Sequence, residues 1–335
     1  MAETVGAASA ETFFARVART KSILDEATQA LRRQGVTEGL PNWSQRRERP
    51  AAKQQRAYAK QADQCVLDEA LSTWGEDDAA DLRSAGGKGA GAFLLPPTEA
   101  RHVMSDLHYL VAVQRRLRCR HPGHTQPTTT PATHCQHRAA QGGALCGKES
   151  DPRGHHAETC NTGGLVDARH NDIRDWLGSA DGKKGLIPET TGRSALTEQH
   201  VPHWDRVDEE TGEVEHARLD VATTDAEGRR VYLDITIVDA ATVNPEQRRR
   251  RANHDGAAAA RAEDTKRLRY PGPALVPFAV EALGRPGESA VNYLRSLAPV
   301  DPRARSKWLG SAWQTLSVLV QTGNARLLLT AAHAA

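Results

Sequence analysis

Apolar positions in residues 11–35 (ETFFARVARTKSILDEATQALRRQG) recur with helical spacing, which predicts a helix stopping at Gly35. Residues 41–64 are polar and basic, a solvated helix or a linker. Helical patterning resumes at Val66–Trp74 and ends in the glycine-rich SAGGKGAGA of 84–92. Residues 98–118 (TEARHVMSDLHYLVAVQRRLR) predict an amphipathic helix with a basic end, and the Pro/Thr/His stretch 121–133 reads as a loop. From 167 onward the pattern becomes mixed α/β. DARHNDIRDWLGSA predicts a short helix. Two alternating runs, ARLDVAT and RVYLDITIVD, predict strands joined by the turn DAEG. A helix at 256–270, a strand within 273–283, a helix in GESAVNYLRSL and one or two C-terminal packing helices complete the pattern.

A chain of 335 residues has room for two or three domains. The pattern divides it into a mostly helical region with linkers (1–95), a basic helix and Cys/His segment (96–165), an α/β core (166–300) and a C-terminal helical segment (301–335). The formal charge of +2 conceals a local segregation. Twelve acidic and four basic residues lie between Glu198 and Asp239, whereas eight basic and four acidic residues lie between Pro245 and Tyr270. An acidic patch followed by a basic one suits metal binding beside a polyanion. Aromatics at 4% imply a modest core. The opening MAETVGAASAETFF lacks a secretory signal pattern, and no run reaches the length of a membrane span. The reading is an intracellular chain with no membrane partner, whose five cysteines are metal ligands or free thiols rather than disulfides.

Four of those cysteines lie between 119 and 160, amid six histidines. Cys135, Cys146, Cys160 and either His155 or His156 form the best ligand set. Zinc takes four such ligands in a tetrahedron, and short chelating loops supply them in a segment too small for its own core. The expectation is a structural Zn²⁺ in a small connector.

The two strand-like runs each carry an aspartate among apolar neighbours, Asp220 and Asp234. A buried carboxylate is unfavourable unless charge or hydrogen bonds compensate it. Two carboxylates on adjacent strands can converge on one Mg²⁺ or Mn²⁺, which polarises a scissile phosphate and generates hydroxide from bound water. A nearby lysine would stabilise the developing charge.

An aspartate, a second about a dozen residues on and a neighbouring lysine resemble the PD-(D/E)XK nuclease pattern, with Leu219 where proline is usual and Thr236 where lysine is usual. The order CG, GHHAETC, ARHNDIRD, ARLDV, LDITIVDA, AEDTKRLRY resembles the C-terminal part of site-specific non-LTR retrotransposon proteins, a zinc knuckle followed by a restriction-like endonuclease. The resemblance spans roughly residues 84–297. It implies a mixed central sheet flanked by helices, restriction-endonuclease-like, behind an α-helical N-terminal region and a small zinc-bound connector. It further implies metal-binding Asp220 and Asp234, a displaced catalytic lysine at Lys266 accompanied by Tyr270, and a further carboxylate at Glu198 offered by an upstream helix. Arg169 and His170 match the family's Arg-His pair, structural or DNA-contacting. Arg248, Arg249, Arg250, Arg251 and Arg267 would meet phosphates. The implied activity is metal-dependent nicking of duplex DNA in the nucleus, leaving a primer end, with element RNA and a separate reverse transcriptase as partners. No paired-aspartate polymerase motif and no nucleotide-triphosphate loop occurs. The alternative is a catalytically decayed, nucleic-acid-binding remnant.

Overall fold

The computed structural model describes residues 29–30, 32–33, 51–120, 134–139 and 143–332, without the side chains of 51–60. Most of the helix expected over 11–35, residues 41–50 and the loop expected over 121–133 lie outside the described residues. Two compact units meet in sequence at Asp68 and Glu69. Helix α1 (Ala51–Thr73) begins in the first, runs past that boundary and covers residues 51–64 of the segment read as a solvated helix or linker.

In the second unit, α2 (Glu76–Ala85) opens with Glu76, Asp77 and Asp78, which favour the positive end of a helix. The amphipathic helix is shorter than 98–118: α3 runs Asp106–Arg116, because the Ser105 hydroxyl accepts the His108 N–H and caps it there. Short α4 (His155–Thr159), α5 (Leu165–Leu177) and α6 (Leu186–Thr191) follow.

The strands are β1 (Leu196–His200), the short pair β2 (Arg206–Val207) and β3 (Val214–Glu215), then β4 (Arg218–Thr224) and β5 (Arg230–Val238). After α7 (Pro245–Asn253) and α8 (Ala257–Arg269) comes β6 (Leu275–Glu281). Four strands form a mixed sheet ordered β1-β4-β5-β6. The first three are antiparallel, and β6 runs parallel to β5 after the helical crossover. The fold is therefore mixed α/β, a four-stranded mixed sheet flanked by helices. LTEQH, expected on a helix, is the edge strand β1. Its alternation is interrupted at Glu198, which adopts the left-handed φ of 56°.

Helix α9 (Glu288–Leu297) and α10 (Pro302–Ala332) close the chain. The latter is one continuous helix of 31 residues. Val221, Leu233, Ile235 and Phe278 from the sheet pack with Ile173 and Leu177 of α5, Leu294 of α9, and Leu316 and Val320 of α10. Gly323 has a packing reason. A Cβ there would lie 2.4 Å from Arg169 Cγ, so only glycine lets α5 and α10 approach. Among the described residues no helix is long and apolar enough to cross a membrane.

Candidate active site and the cysteine–histidine cluster

The register brings the aspartates together. Val221 pairs with Leu233, and one further step sets Asp220 opposite Asp234. On the other flank Thr197 pairs with Val221 and Gln199 with Leu219, so Glu198 occupies the position opposite Asp220. These three residues share one register row across β1, β4 and β5, although the Glu198 side chain turns out of it. Asp220 Oδ2 accepts the Ile235 N–H at 2.5 Å and lies 3.1 Å from His170 Nε2 of α5. Lys266 reaches in from α8, its Nζ 3.0 Å from Asp234 Oδ1 and 2.9 Å from Oδ2. Only the Oδ1 contact has hydrogen-bond alignment, and Oδ2 is a buried acceptor without a donor.

These contacts set the charge states. Burial pushes the Asp234 carboxyl up to about 6; Lys266 opposes the rise and the neighbouring Asp220 adds to it. Burial lowers the His170 imidazole, but the hydrogen bond to Asp220, that carboxylate's charge and a contact with Asn171 together outweigh it and raise it. Asp234, Asp220 and Lys266 therefore form a small, partly shielded group able to hold a cation or a proton.

The other expected residues divide. The exposed Glu198 is turned by its left-handed backbone toward Arg174 of α5, with which it forms an ion pair. Tyr270 is not at the carboxylates. It is buried against Trp204 with ring centroids 5.5 Å apart, because it ends α8 and fills the apolar cluster of Leu219 and Leu275. Arg169 cannot contact DNA. It is buried, donating to Asn324 Oδ1 and the Glu158 carbonyl, which leaves its structural role. Arg251 is likewise committed, donating to the carbonyls of Asp239, Ala240 and Ala241. Arg248 engages Asp77 and the Thr242 carbonyl. Arg267 engages Glu263, Asp264 and the Ser289 hydroxyl. Arg249 and Arg250 remain exposed.

The cysteines converge with one histidine. Cys135 and Cys146 lie on a small ribbon in which Cys135 N–H donates to the Lys148 carbonyl and Cys146 N–H to that of His137. Gly147 takes a φ of 63° in the same ribbon, a conformation that favours glycine. The Asp151 carboxylate accepts the His155 and His156 N–H groups, fixing the start of α4. His156 and Cys160, four residues apart, then project together. Ligand atoms of Cys135, Cys146, His156 and Cys160 all lie within 4.8 Å of one another. Cys135 and Cys160 sulfurs are 3.9 Å apart, and Cys146 Sγ is 3.3 Å from His156 Nε2. Bonds of about 2.3 Å to sulfur and 2.0–2.1 Å to nitrogen require tetrahedral edges of roughly these lengths. Burial pushes the Cys135 thiol up to about 12, the neighbouring thiols adding to the effect. Burial also lowers the His156 imidazole, keeping it in the neutral form a metal needs. The four residues fit a tetrahedral zinc.

His155 does not belong to this set. Its Nδ1 is 3.0 Å from Asp239 Oδ2 and its Nε2 3.6 Å from Asp81 Oδ2. It joins a buried network that sequence reasoning missed. There Arg115 holds Asp81 at 2.7 Å and Glu158 at 3.0 Å. The only signal was Arg115 itself, which lies on the apolar side of an amphipathic helix rather than at its solvated end.

No protein-family model and no curated protein matches the chain.

Proposed function

We propose that this chain is a metal-dependent endonuclease that nicks duplex DNA at the Asp220–Asp234–Lys266 group, on a restriction-endonuclease-like core. The observation that carries the reading is Lys266, whose Nζ lies within 3.0 Å of both Asp234 oxygens although 32 positions separate the residues. The resemblance to site-specific non-LTR retrotransposon proteins supports the same assignment. So does the antiparallel β1, β4, β5 series followed by a helical crossover to parallel β6.

The donor set fits Mg²⁺ or Mn²⁺, both of which take oxygen ligands. Asp234 Oδ2 is buried without a hydrogen-bond donor. Both hydrogen-bond contacts to Asp220 fall on Oδ2, so Oδ1 is the oxygen that can turn to an ion. Asp220 and Asp234 would hold the ion, which would polarise the phosphodiester and acidify its bound water. His170 orients Asp220. Lys266 moves from Asp234 to the phosphate, offsetting the charge that builds there. Arg249 and Arg250 meet the DNA backbone, and Cys135, Cys146, His156 and Cys160 hold one structural zinc. On this reading the product is a primer end in the nucleus, used by a separate reverse transcriptase acting on element RNA.

A second reading, a remnant that binds nucleic acid without cleaving it, is favoured by Leu219 and Thr236 standing where the nuclease pattern has proline and lysine. Supercoiled plasmid separates the two. The nuclease relaxes it with Mg²⁺ or Mn²⁺ and stops doing so as Asp234→Asn, while DNA affinity persists. Undiminished DNA binding with no relaxation by the unsubstituted chain would establish the remnant.

A further inference from the structure

We propose that His200, Asp205 and His216 form a separate site for a borderline divalent metal ion such as Zn²⁺. The proposal does not depend on the nuclease reading. His200 Nε2 lies 2.9 Å from both Asp205 oxygens, and His216 Nδ1 lies 3.0 Å from Oδ2. One ligand atom from each residue lies within 4.8 Å of the other two. The imidazoles meet edge to face, with centroids 5.0 Å apart.

The backbone builds this convergence. Arg206 pairs with Glu215 in the β2–β3 ribbon, and one further step sets Asp205 opposite His216 at the ribbon's base. His200, the last residue of β1, approaches from the main sheet. The Ala217 N–H donates to Asp205 Oδ1 at 2.8 Å and holds the carboxylate toward the two rings. Such a supporting hydrogen bond is what orients a metal ligand.

Two imidazoles and one carboxylate suit zinc and its neighbours, whereas Mg²⁺ favours oxygen alone. Three protein ligands leave a coordination position open. The side chains of His200, Asp205 and His216 are 45%, 19% and 67% exposed, so an ion and its water can reach them. Ligand atoms bonded at about 2.0–2.2 Å stand roughly 3.3 Å apart in a tetrahedron, so small outward shifts of these side chains accommodate the ion. The ion would pin the base of the ribbon to the edge of the sheet, two residues from Glu198.

The test uses the full chain with zinc at the cysteine cluster, in an Asp220→Asn, Asp234→Asn background so that this pair supplies no ligands. Co²⁺ is then titrated in. Expected is one further equivalent, with the weak visible bands of nitrogen and oxygen ligation and no thiolate charge-transfer band. His216→Ala and His200→Ala should each weaken it at least about tenfold, since losing a ligand costs no less than losing its supporting hydrogen bond. Both side chains are exposed enough for these variants to fold. No further equivalent, or an unchanged one in the His200→Ala, His216→Ala double variant, overturns the proposal.

Discussion

Asp234 and Asp239 stand five positions apart, one within β5 and one just past its end, and are 6% and 9% exposed. Their surroundings differ in donors, not in burial. Asp239 receives His155 Nδ1 at 3.0–3.1 Å and the Ala241 N–H at 3.1 Å. Burial works to raise its carboxyl, yet the His155 hydrogen bond and charge hold it below the ordinary value. Asp234 has one lysine, a carboxylate neighbour and an oxygen without a donor, and its carboxyl rises to about 6. Burial alone does not decide whether a carboxylate is structural or reactive. The donors around it matter too, and they differ between Asp234 within β5 and Asp239 just past its end.

The largest expected effect lies in the closed network. Arg115→Leu leaves the Asp81 and Glu158 carboxylates buried without their cation, which should cost about 3–5 kcal/mol in urea unfolding. A cost below about 1 kcal/mol would mean that the network is not closed. The same substitution on β5 and at its exit should then act with opposite signs. Asp239→Asn loses a charge-assisted hydrogen bond and should destabilise by about 1.5–3 kcal/mol at pH 7. Because its folded carboxyl is held low, that loss should shrink as pH falls through the acid range below 3.8.

Asp234→Asn should stabilise the metal-free chain by about 1–2 kcal/mol at pH 8. The folded carboxyl titrates near 6, above its ordinary 3.8. Below 3.8 it is protonated in both states and equivalent to asparagine. Between 3.8 and about 6 the unfolded chain ionises while the folded carboxyl stays protonated, so the variant's advantage grows across that window and levels above 6. Equal unfolding midpoints at pH 4 and pH 8 would remove the contrast between the two aspartates. The smallest effect belongs outside both groups. Arg249→Ala with Arg250→Ala should change stability by less than about 0.5 kcal/mol. It should reduce the salt slope of DNA binding by about two, and an unchanged slope would make these arginines a solvated run.

Much of the open group was legible because it depends on local patterns. Alternation placed Asp220 and Asp234 on paired strands, the turn residues fixed their register, and helix propensity placed Lys266 on α8. Spacing also selected the thiols, and the four-residue step to Cys160 could have preferred His156 over His155. The closed network was not legible, because its members come from α2, α3, α4 and the exit of β5. A basic helix end is ordinarily solvated, and nothing near Arg115 in sequence announces Asp81 or Glu158. Residue type alone likewise said little of Tyr270, expected beside Lys266, and of Arg169, expected to be structural or DNA-contacting. Each is polar by type, yet packing against Trp204 and α10 decides its place.

Helix α10 touches the central core through Leu316 and Val320, and the cysteine cluster through Ala325, Leu328 and Ala331. At about 1.5 Å per residue its 31 residues extend roughly 46 Å. It is made after every element it covers. During synthesis the sheet and the cysteine ribbon therefore wait, with apolar faces uncovered, until residues 302–332 have left the ribosome. At about 5–20 residues per second this interval lasts a few seconds. Closure of this core is thus timed by α10, and a ribosome stalled within 302–332 would hold a chain in which β1 to β6 are made but the core is still open.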